Sequence, residues 1–330
     1  MSSSIDVLAE KKSINNIDTV FLEDVVSGLA QVQKTLPCKY FYDEQGSQLF
    51  EAICETPEYY VTRTECNIYQ QYAGEMARLI GNKALLLEPG AGSVKKISYL
   101  LSALVNPVGF IPMDISPEIL AESSQLLAKK FPELDITPSV VDFSDEQSLS
   151  AIFNRLPTQP LVNKRVVFFP GSTIGNFKPH DAIGFLRQFS ANLCHGDGLL
   201  IGVDRVKNDG ILEAAYDDKA GITADFNRNL LIRINKELQA DFLLENFSHK
   251  AVFNRHDSRI EMHLVSQCEQ EVTIANSTVA FAQGETIHTE NSYKYTPENF
   301  TVLAAEAGFK HEQMWSDEEG LFSVYYFSVM

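Results

Sequence analysis

The sequence predicts an α/β protein built on a doubly wound parallel sheet, with an α+β domain inserted into it. Between residues 84 and 204, short and almost continuously apolar runs alternate with helical stretches. Strands of this kind are buried on both faces, as in a parallel sheet covered by helices. A long helical pattern followed by alternating strands, at 222–294, predicts the inserted part.

The sheet elements follow in order along the chain. Pro117 suits the first turn of a helix and Ser116 suits its N-cap. Ligands of doubly wound sheets bind beyond the carboxyl ends of the strands, so we expect the functional site there. The predicted strands are 84–88, 109–114, 136–142, 165–170 and 198–204, and the predicted helices are 94–105, 117–131 and 180–193.

The carboxyl-terminal part has a different pattern. A helix at 222–247 precedes two hairpins, with turns at Asn254–Ser258 and Asn276–Ser277. A helix ending at Gly308 and strands 310–316 and 321–329 then rejoin the sheet. We therefore expect two domains: a core of 63–206 with 295–330, and a substrate-binding domain of 15–62 with 207–294.

Charge limits the partners. Lys plus Arg number 27 and Asp plus Glu 44 among 330 residues, which gives a net charge of −17. Nucleic acid and anionic lipid would be repelled, whereas a small ligand responds to its local site. We therefore expect a small-molecule substrate, with neither nucleic acid nor a membrane as partner, and a monomer.

Cysteine and histidine usage indicates the compartment. The five cysteines are odd in number and lack a CxxC pair, and the histidines show no HxH or HExxH spacing. Residues 1–16 do not have the pattern of a secretory signal, and no apolar run approaches the ~20 residues of a membrane span. We expect a cytoplasmic protein without a metal site.

A cofactor motif follows the first sheet strand. The segment Glu88-Pro-Gly90-Ala-Gly92 lacks the third glycine of the dinucleotide fingerprint, which counts against NAD. Asp114 ends the next strand, where an acid can bind a ribose of either NAD or S-adenosylmethionine. Asp142, followed by Phe143, suits an adenine. For any one of these acids, capping of the following loop is an equally good explanation.

Five longer segments resemble one family. They are LPCKYFYDEQGSQLFEAICETPEYYVTRTE (36–65), PGSTIGNF (170–177), AYDDKAGITADFNRN (215–229), RIEMHL (259–264) and TENSYKY (289–295). Together they resemble the histidine-specific N-alpha-methyltransferases, which make hercynine in ergothioneine biosynthesis. The resemblance runs from about residue 20 to the carboxyl terminus. It implies a class I S-adenosylmethionine-dependent (Rossmann-like) core with an inserted substrate-binding domain.

The resemblance also implies a cofactor set and a substrate set. Pro89 departs from the aliphatic residue usual at that place in the family. Tyr42 and Gly171 are expected at the border of the two sets, and Tyr42 and Asn176 are expected to take part in catalysis. The cofactor set for S-adenosyl-L-methionine is Gly90, Lys96, Asp114, Asp142, Tyr42 and Gly171. The L-histidine set is Tyr59, Gly171, Asn176, Tyr216, Met262, Glu290 and Ser292.

Glu290 and Ser292 are the informative pair of this set. Two positions apart on a strand, they are expected on one face. Neutral imidazole has one N–H donor and one acceptor nitrogen, so a carboxylate can accept from the first and a hydroxyl can donate to the second. The resemblance places Asn176 and Tyr216 at the amino and carboxylate end. Without the resemblance, loop capping is the better explanation for Asn176, a solvated strand face for Glu290 and Ser292, and packing for Tyr216.

Methyl transfer needs a neutral amine aligned with the methyl carbon. The motifs contain no dedicated histidine or lysine base, so we expect the proton to leave to water through the Tyr42 and Asn176 region. The rings of Tyr42 and Tyr59 could also attract a growing trimethylammonium group by cation–π interaction.

Three other functions remain open. The first is methylation of a tryptophan-derived amine, which an indole's lack of a second ring nitrogen opposes. The second is a ligand-binding module without turnover. The third is an NAD-dependent oxidoreductase, which the incomplete glycine motif opposes.

Overall fold

The computed structural model describes residues 18–143, 145–157 and 161–330, and it divides into two compact units. The first unit comprises the described residues up to Glu58, with Glu213–Phe253 and Ile260–Glu290. The second comprises Tyr59–Leu212, Asn254–Arg259 and Asn291–Met330. Residues 1–16, which were considered above for a secretory signal, lie outside the described residues. The expected substrate-binding domain starts at residue 15, which also lies outside them.

The unit boundaries differ from the expected ones by a few residues. Residues 59–62, 207–212, 254–259 and 291–294 belong to the second unit rather than to the substrate-binding domain. Side-chain contacts explain part of this difference, because Tyr60, Lys207 and Lys294 all bind the carboxylate of Asp204 within the second unit.

The amino-terminal elements lead into the sheet. In chain order they are α1 (Thr19–Leu29), β1 (Lys34–Thr35), a 3₁₀ turn (Cys38–Phe41), α2 (Glu44–Glu55), α3 (Tyr60–Ile80), β2 (Ala84–Pro89), α4 (Val94–Ala103), β3 (Gly109–Asp114), α5 (Pro117–Lys130), β4 (Ser139–Val140), α6 (Glu146–Phe153), β5 (Lys164–Phe169), a 3₁₀ turn (Thr173–Asn176), α7 (Pro179–Asn192) and β6 (Gly198–Asp204).

The remaining elements form the rest of the first unit and then return to the sheet. They are α8 (Asp209–Tyr216), α9 (Ile222–Leu238), a 3₁₀ turn (Leu244–Asn246), β7 (Phe247–Asn254), β8 (Arg259–Ser266), β9 (Gln270–Ile274), β10 (Ser277–Phe281), β11 (Thr286–Tyr293), α10 (Pro297–Glu306), β12 (Phe309–Ser316) and β13 (Phe322–Val329).

The second unit contains a seven-stranded sheet in the order β12-β13-β6-β5-β2-β3-β4. The pairs from β4 through β6 are parallel, and β13 joins β6 antiparallel, with Tyr325 opposite Ile201. This confirms the class I fold and the return of the chain to the sheet. Strands β2 and β6 are buried along their whole length, as their apolar sequences predicted.

Two predicted elements are wrong in extent. The strand expected at 136–142 is reduced to Ser139–Val140, because Pro138 has no N–H to continue the ladder beside β3. The helix expected at 222–247 ends at Leu238, where Gln239 adopts a left-handed φ of 54°. By contrast, Ser116 caps α5 as expected, since its Oγ accepts from the Ile119 N–H.

The first unit contains a four-stranded sheet in the order β1-β11-β8-β7 and a separate antiparallel hairpin, β9–β10. The hairpin turn is Ala275–Asn276, one residue earlier than predicted. Burial alternates along β8, so Met262 lies on its buried face. No helix among the described residues combines the length and apolarity needed to cross a membrane.

Candidate active site

A glycine turn follows β2 at the carboxyl edge of the sheet. Gly90 has a φ of 73°, a conformation that costs little only for glycine. The N–H groups of Gly90 and Ala91 both donate to the carbonyl of Met113, at 2.7 and 3.0 Å. The turn is therefore held against the end of β3, next to Asp114.

Glu88 is the penultimate residue of β2, just before this turn, and is 1% exposed. Burial raises the pKa of its carboxyl well above the usual range, and the negative charges of Glu65 and Asp114 add to this although Lys96 opposes it. Its Oε1 is buried without a hydrogen-bond partner among the described residues. An orphaned acceptor beside a glycine turn fits a ligand that brings a donor or a positive charge. The set of cofactor residues expected from the sequence did not include Glu88.

Asp114 ends β3 as expected, whereas Asp142 was expected to end a strand and lies two residues beyond β4. The carboxylate of Asp114 accepts from the Ser116 N–H at 2.8 Å, and burial raises its pKa although that hydrogen bond lowers it. Asp142 is exposed just after β4. The ring of Phe143 packs near those of Phe169 and Phe185, with centroids 6.3 and 6.1 Å away.

Lys96 and Gly171 are brought together by a residue that the sequence did not single out. Lys96 Nζ lies 2.7 Å from Glu65 Oε2, and the two side chains are 8% and 0% exposed. Both carboxylate oxygens of Glu65 accept from the Gly171 N–H at 3.0 Å. Gly202 of β6 makes room for this carboxylate, because a Cβ there would lie 2.1 Å from Glu65 Oε1; a glycine inside a strand is typical of such a close approach but does not name the approaching residue.

Asn176 and Ser292 are also neighbours within the second unit. Asn176 ends the 3₁₀ turn that follows β5. The preceding Gly175 approaches β11 so closely that a Cβ there would lie 2.8 Å from the Tyr293 carbonyl oxygen and 3.5 Å from Ser292 Oγ. The glycine thus lets this turn lie against the end of the strand that carries Ser292.

Behind Ser292 lies a buried charge network. Lys294 Nζ is 2.7 Å from Ser292 Oγ and 2.7 Å from Asp204 Oδ2. The other carboxylate oxygen of Asp204 lies 2.5 Å from Lys207 Nζ, and the Tyr60 hydroxyl donates to the same carboxylate at 2.8 Å. Tyr60 and Lys294 are distant from Asp204 in the sequence, whereas Lys207 follows it by three residues; none of these three contacts was predicted from the motifs.

The titration of this network follows from its burial. Burial alone would raise the pKa of the Asp204 carboxyl, but the charges of Lys294 and Lys207 lower it below its usual value. Burial lowers the pKa of Lys207 to about 8, against the attraction of Asp204. Asp204 is therefore a carboxylate at neutral pH, facing two ammonium groups.

Tyr59 also belongs to the second unit. It stands at the N-cap position of α3 and is 6% exposed. Its ring is therefore buried.

In the first unit, Tyr42, Tyr216 and Glu290 lie close together. Burial raises the pKa of the Tyr42 hydroxyl well above 10, and the charges of Glu290, Cys38, Cys54 and Tyr216 raise it further. Three residues predicted from separate motifs therefore share one electrostatic environment. Tyr42 is a neutral phenol throughout the physiological pH range.

The local chain fixes the position of Tyr42. It follows the 3₁₀ turn Cys38–Phe41, and the next residue, Asp43, caps α2 by accepting from the Gly46 N–H at 2.7 Å. The ring meets those of Phe50 and Phe226 edge-on, with centroids 5.8 and 5.9 Å away. Aromatic packing and a helix cap thus hold this side chain.

Tyr216 and Met262 are positioned by hydrogen bonds of their backbone carbonyls. Tyr216 ends α8, and its carbonyl accepts from His249 Nε2 at 2.8 Å while Asn227 donates to His249 Nδ1 at 2.9 Å. Burial lowers the pKa of His249, consistent with a neutral ring. The Met262 carbonyl accepts from Thr289 Oγ1 at 3.1 Å, and its side chain is 1% exposed.

Glu290 and Ser292 both lie on β11, as predicted. Burial alternates along this strand up to Glu290 and then shifts by one residue, so that Ser292 and Tyr293 are both buried. Because the alternation breaks between them, strand periodicity alone does not place Glu290 and Ser292 on one face. That the two residues bind the same ligand stays a prediction.

One further cluster occurs in the first unit. Ligand atoms of Glu261, His263 and His288 lie within 4.8 Å of one another, although the sequence predicted no metal site. Here His263 Nε2 is 3.0 Å from Glu261 Oε2, and the two imidazole rings stack with centroids 4.7 Å apart. The three groups already interact with one another.

Known proteins resemble this chain over most of its length. A sequence model of the family described as histidine-specific, SAM-dependent methyltransferases matches residues 21–329. A histidine N-alpha-methyltransferase of Mycolicibacterium smegmatis is 40% identical over 91% of this chain and 92% of its own length. The namesake of Mycobacterium tuberculosis is 38% identical over the same shares. An L-tryptophan methyltransferase of Psilocybe serbica is 26% identical over 96% of this chain and 94% of its own length.

Proposed function

The chain belongs to the histidine-specific, SAM-dependent methyltransferase family, and from this we propose that it trimethylates the α-amino group of L-histidine to hercynine. The match over residues 21–329 supports the chemistry. The observation that carries the proposal is the grouping of Tyr42, Tyr216 and Glu290 in one electrostatic environment, because these residues come from three separate motifs of the substrate set.

The cofactor is assigned to the carboxyl edge of the seven-stranded sheet. When bound, S-adenosyl-L-methionine supplies a methyl group activated on a sulfonium sulfur. Gly90 places no side chain at this strand end, and the buried acceptor of Glu88 fits a cationic group. The residues assigned to hold the cofactor are Gly90, Lys96, Asp114, Asp142, Tyr42 and Gly171, with Glu88 added from the structure.

The histidine is held by its two ends. Asn176 has both donors and an acceptor, so it can bind the amine and the carboxylate, and the Tyr216 hydroxyl can donate to the carboxylate. Glu290 accepts from the imidazole N–H, and Ser292 donates to the other ring nitrogen. The border position of Gly171 and the apolar side chains of Tyr59 and Met262 complete the assigned set.

Tyr42 and Asn176 aim the amine. Because the Tyr42 pKa lies well above 10, the phenol keeps its proton at the working pH and cannot be a general base. It orients the amine by hydrogen bonding, and the site selects the neutral amine. The proton released before each transfer passes to water.

Mass spectrometry tests the proposal directly. The purified protein is incubated with S-adenosylmethionine and, separately, with L-histidine, L-tryptophan and tryptamine, and each product is examined for one, two or three added methyl groups. We expect trimethylated histidine. Methylation of tryptophan with no methylation of histidine would overturn the assignment.

A variant links the activity to the assigned residue. Glu290→Ala should lower kcat/KM for histidine by at least about a hundredfold, because an N–H of the ring loses its acceptor, and should leave S-adenosylmethionine affinity within twofold. Glu271→Ala, an exposed acid on β9, is the matched control. Equal loss of both ligands in Glu290→Ala would count against its role in binding the ring.

We also propose that the protein is a monomer and that it is cytoplasmic. All five cysteines are free, which supports a reducing compartment. Light scattering after size-exclusion chromatography tests the first proposal, and cell fractionation of the producing organism tests the second.

A further inference from the structure

We propose that Asn227 and His249 are positioning residues that hold the end of α8, so that the Tyr216 hydroxyl can donate to the carboxylate of the substrate. The inference rests on the proposed function and deepens it. It assigns part of the affinity for histidine to two side chains outside the assigned substrate set. Both residues belong to the first unit, as does Tyr216.

The orientation of the Asn227 amide is the first step. Asn227 lies on α9 and is 0% exposed. Its Nδ2 is 3.1 Å from the His263 carbonyl oxygen, and its Oδ1 accepts from Thr289 Oγ1 at 2.8 Å. A carbonyl oxygen can only accept, so the amide nitrogen must face His263. The reversed amide would place two acceptors against each other there.

This orientation determines where His249 carries its proton. Nδ2 of Asn227 also lies 2.9 Å from His249 Nδ1, and His249 Nε2 lies 2.8 Å from the Tyr216 carbonyl oxygen. Because the amide nitrogen donates, Nδ1 is the accepting ring nitrogen. The proton of the neutral ring is then on Nε2, from which it is donated to Tyr216.

The charged groups near His249 lie between α8 and α9 or on α9. Burial lowers the pKa of His249 most strongly, and the hydrogen bond to the Tyr216 carbonyl opposes this. The carboxylates of Asp217 and Asp218 also raise the pKa, whereas Arg228 lowers it. The net result is a pKa below the ordinary value of 6.5, so the ring is neutral at the working pH.

The bond from His249 acts on a helix end. Tyr216 is the last residue of α8, where the carbonyl groups have no partner within the helix. Glu213 of the same helix accepts from the Phe253 N–H at 3.1 Å, so β7 holds α8 at two points. Loss of the His249 bond frees the end of the helix, and with it the direction of the Tyr216 side chain.

The first test compares two asparagines of α9. Asn227→Leu removes the amide that fixes His249, and we expect KM for histidine to rise about tenfold. We expect kcat to change less than about threefold, because Tyr216 is assigned to the carboxylate and not to the reacting amine. S-adenosylmethionine affinity should stay within about twofold.

Asn235→Leu is the matched control. Asn235 binds the backbone of Phe242 through two hydrogen bonds of 2.8 Å, so its loss removes similar contacts from the same helix. Both variants should be less stable than the native protein, but only Asn227→Leu should raise KM. An equal rise in both variants, or none in Asn227→Leu, would overturn the inference.

His249 allows a rescue test. His249→Phe keeps a ring that cannot donate, so KM for histidine should rise about tenfold at pH 8. His249→Gln keeps a donor for the Tyr216 carbonyl and an acceptor for Asn227, so most of this rise should disappear. Equal KM values in the two variants would show that these hydrogen bonds do not position Tyr216.

Acid pH supplies a readout that a purely structural role would not change. Protonation of His249 at Nδ1 places an N–H against the Asn227 amide nitrogen, which also donates, so the native KM should rise. The substrate titrates in the same range, so the quantity to measure is the ratio of the native KM to that of His249→Gln. This ratio should rise at least about threefold across the titration of His249. A constant ratio would overturn the inference.

Nitrogen NMR of the protein with ring-labelled histidine residues shows the proton position without an activity assay. The signals of His249 are those missing from His249→Gln. At pH 8 they should show a neutral ring with its proton on Nε2, and a proton on Nδ1 would overturn the inference even if Asn227→Leu does not fold. A native protein that does not methylate histidine would overturn the proposed function instead.

Discussion

Lys96 and Glu65 form a buried ion pair of 2.7 Å, and the same carboxylate accepts from the backbone of Gly171. The lysine that the family resemblance assigns to the cofactor thus also helps to hold the loop after β5. A buried charge that loses its partner costs far more than the pair contributes in net stability. The pair therefore offers a test of structure separate from catalysis.

Glu65→Leu should lower the free energy of unfolding by about 3–5 kcal/mol, because Lys96 is left buried without its carboxylate. The double variant Glu65→Leu, Lys96→Met should recover part of this loss, since neither charge remains although the Gly171 N–H still lacks its acceptor. Urea denaturation of the single and double variants measures both. Simple additivity of the two single losses would show that the ion pair is not the source of the effect.

Glu88 predicts a pH dependence of stability. Its folded pKa lies above the unfolded value of about 4.5, mainly because of burial. Its contribution is therefore fully present below pH 4.5 and is lost as the pH rises through the folded pKa. Without ligand, Glu88→Gln should match the native protein at pH 4.5 and have the higher Tm at pH 8.

The same variant tests the cofactor assignment. A bound cation would pair with the Glu88 carboxylate, so S-adenosylmethionine should raise the Tm at pH 8 more in the native protein than in Glu88→Gln. An equal Tm increase in both proteins would show that Glu88 does not bind the cofactor. It would not affect the pH-dependence prediction above.

The sheet could be predicted from the sequence because its strands are buried on both faces. The runs at 84–88 and 198–204 are almost continuously apolar, and the structure has strands at Ala84–Pro89 and Gly198–Asp204. The predicted lengths of two elements were wrong where a single residue interrupted the pattern. Pro138 shortened β4, and the left-handed Gln239 ended α9. Such breaks depend on the local hydrogen bonds rather than on hydrophobic periodicity.

Only those residues of the candidate site that lie in the recognised motifs could be predicted from the sequence. Tyr42, Tyr216 and Glu290 were expected from separate segments, and the structure groups them. Two buried ion pairs behind the motifs were missed, because Lys96 and Lys294 lie far in the sequence from Glu65 and Asp204, the carboxylates that they contact. A glycine inside a strand, such as Gly202, indicates a close approach but not which residue approaches.

Tyr42 should contribute by orientation and not by accepting a proton. Tyr42→Phe should lower kcat for histidine by roughly ten- to a hundredfold, since the aligning hydrogen bond is lost. The raised pKa keeps the phenol protonated, so the midpoints of the pH–rate profile between pH 6 and about 9.5 should not move. Disappearance of a midpoint in Tyr42→Phe would identify the tyrosine as a base and contradict the mechanism.

Gly175 should be sensitive to a single methyl group. In Gly175→Ala the new Cβ would lie 2.8 Å from the Tyr293 carbonyl oxygen, so the 3₁₀ turn carrying Asn176 must move away from β11. Overpacking of this kind costs about 1–3 kcal/mol, and we expect KM for histidine to rise more than S-adenosylmethionine affinity falls. Gly184→Ala is the control, because Gly184 lies in α7 with no atom within 4 Å of its added Cβ, so this change should leave KM unaltered and stability equal or higher. A normal KM in Gly175→Ala would show that the close approach does not position Asn176 and Ser292 for the substrate.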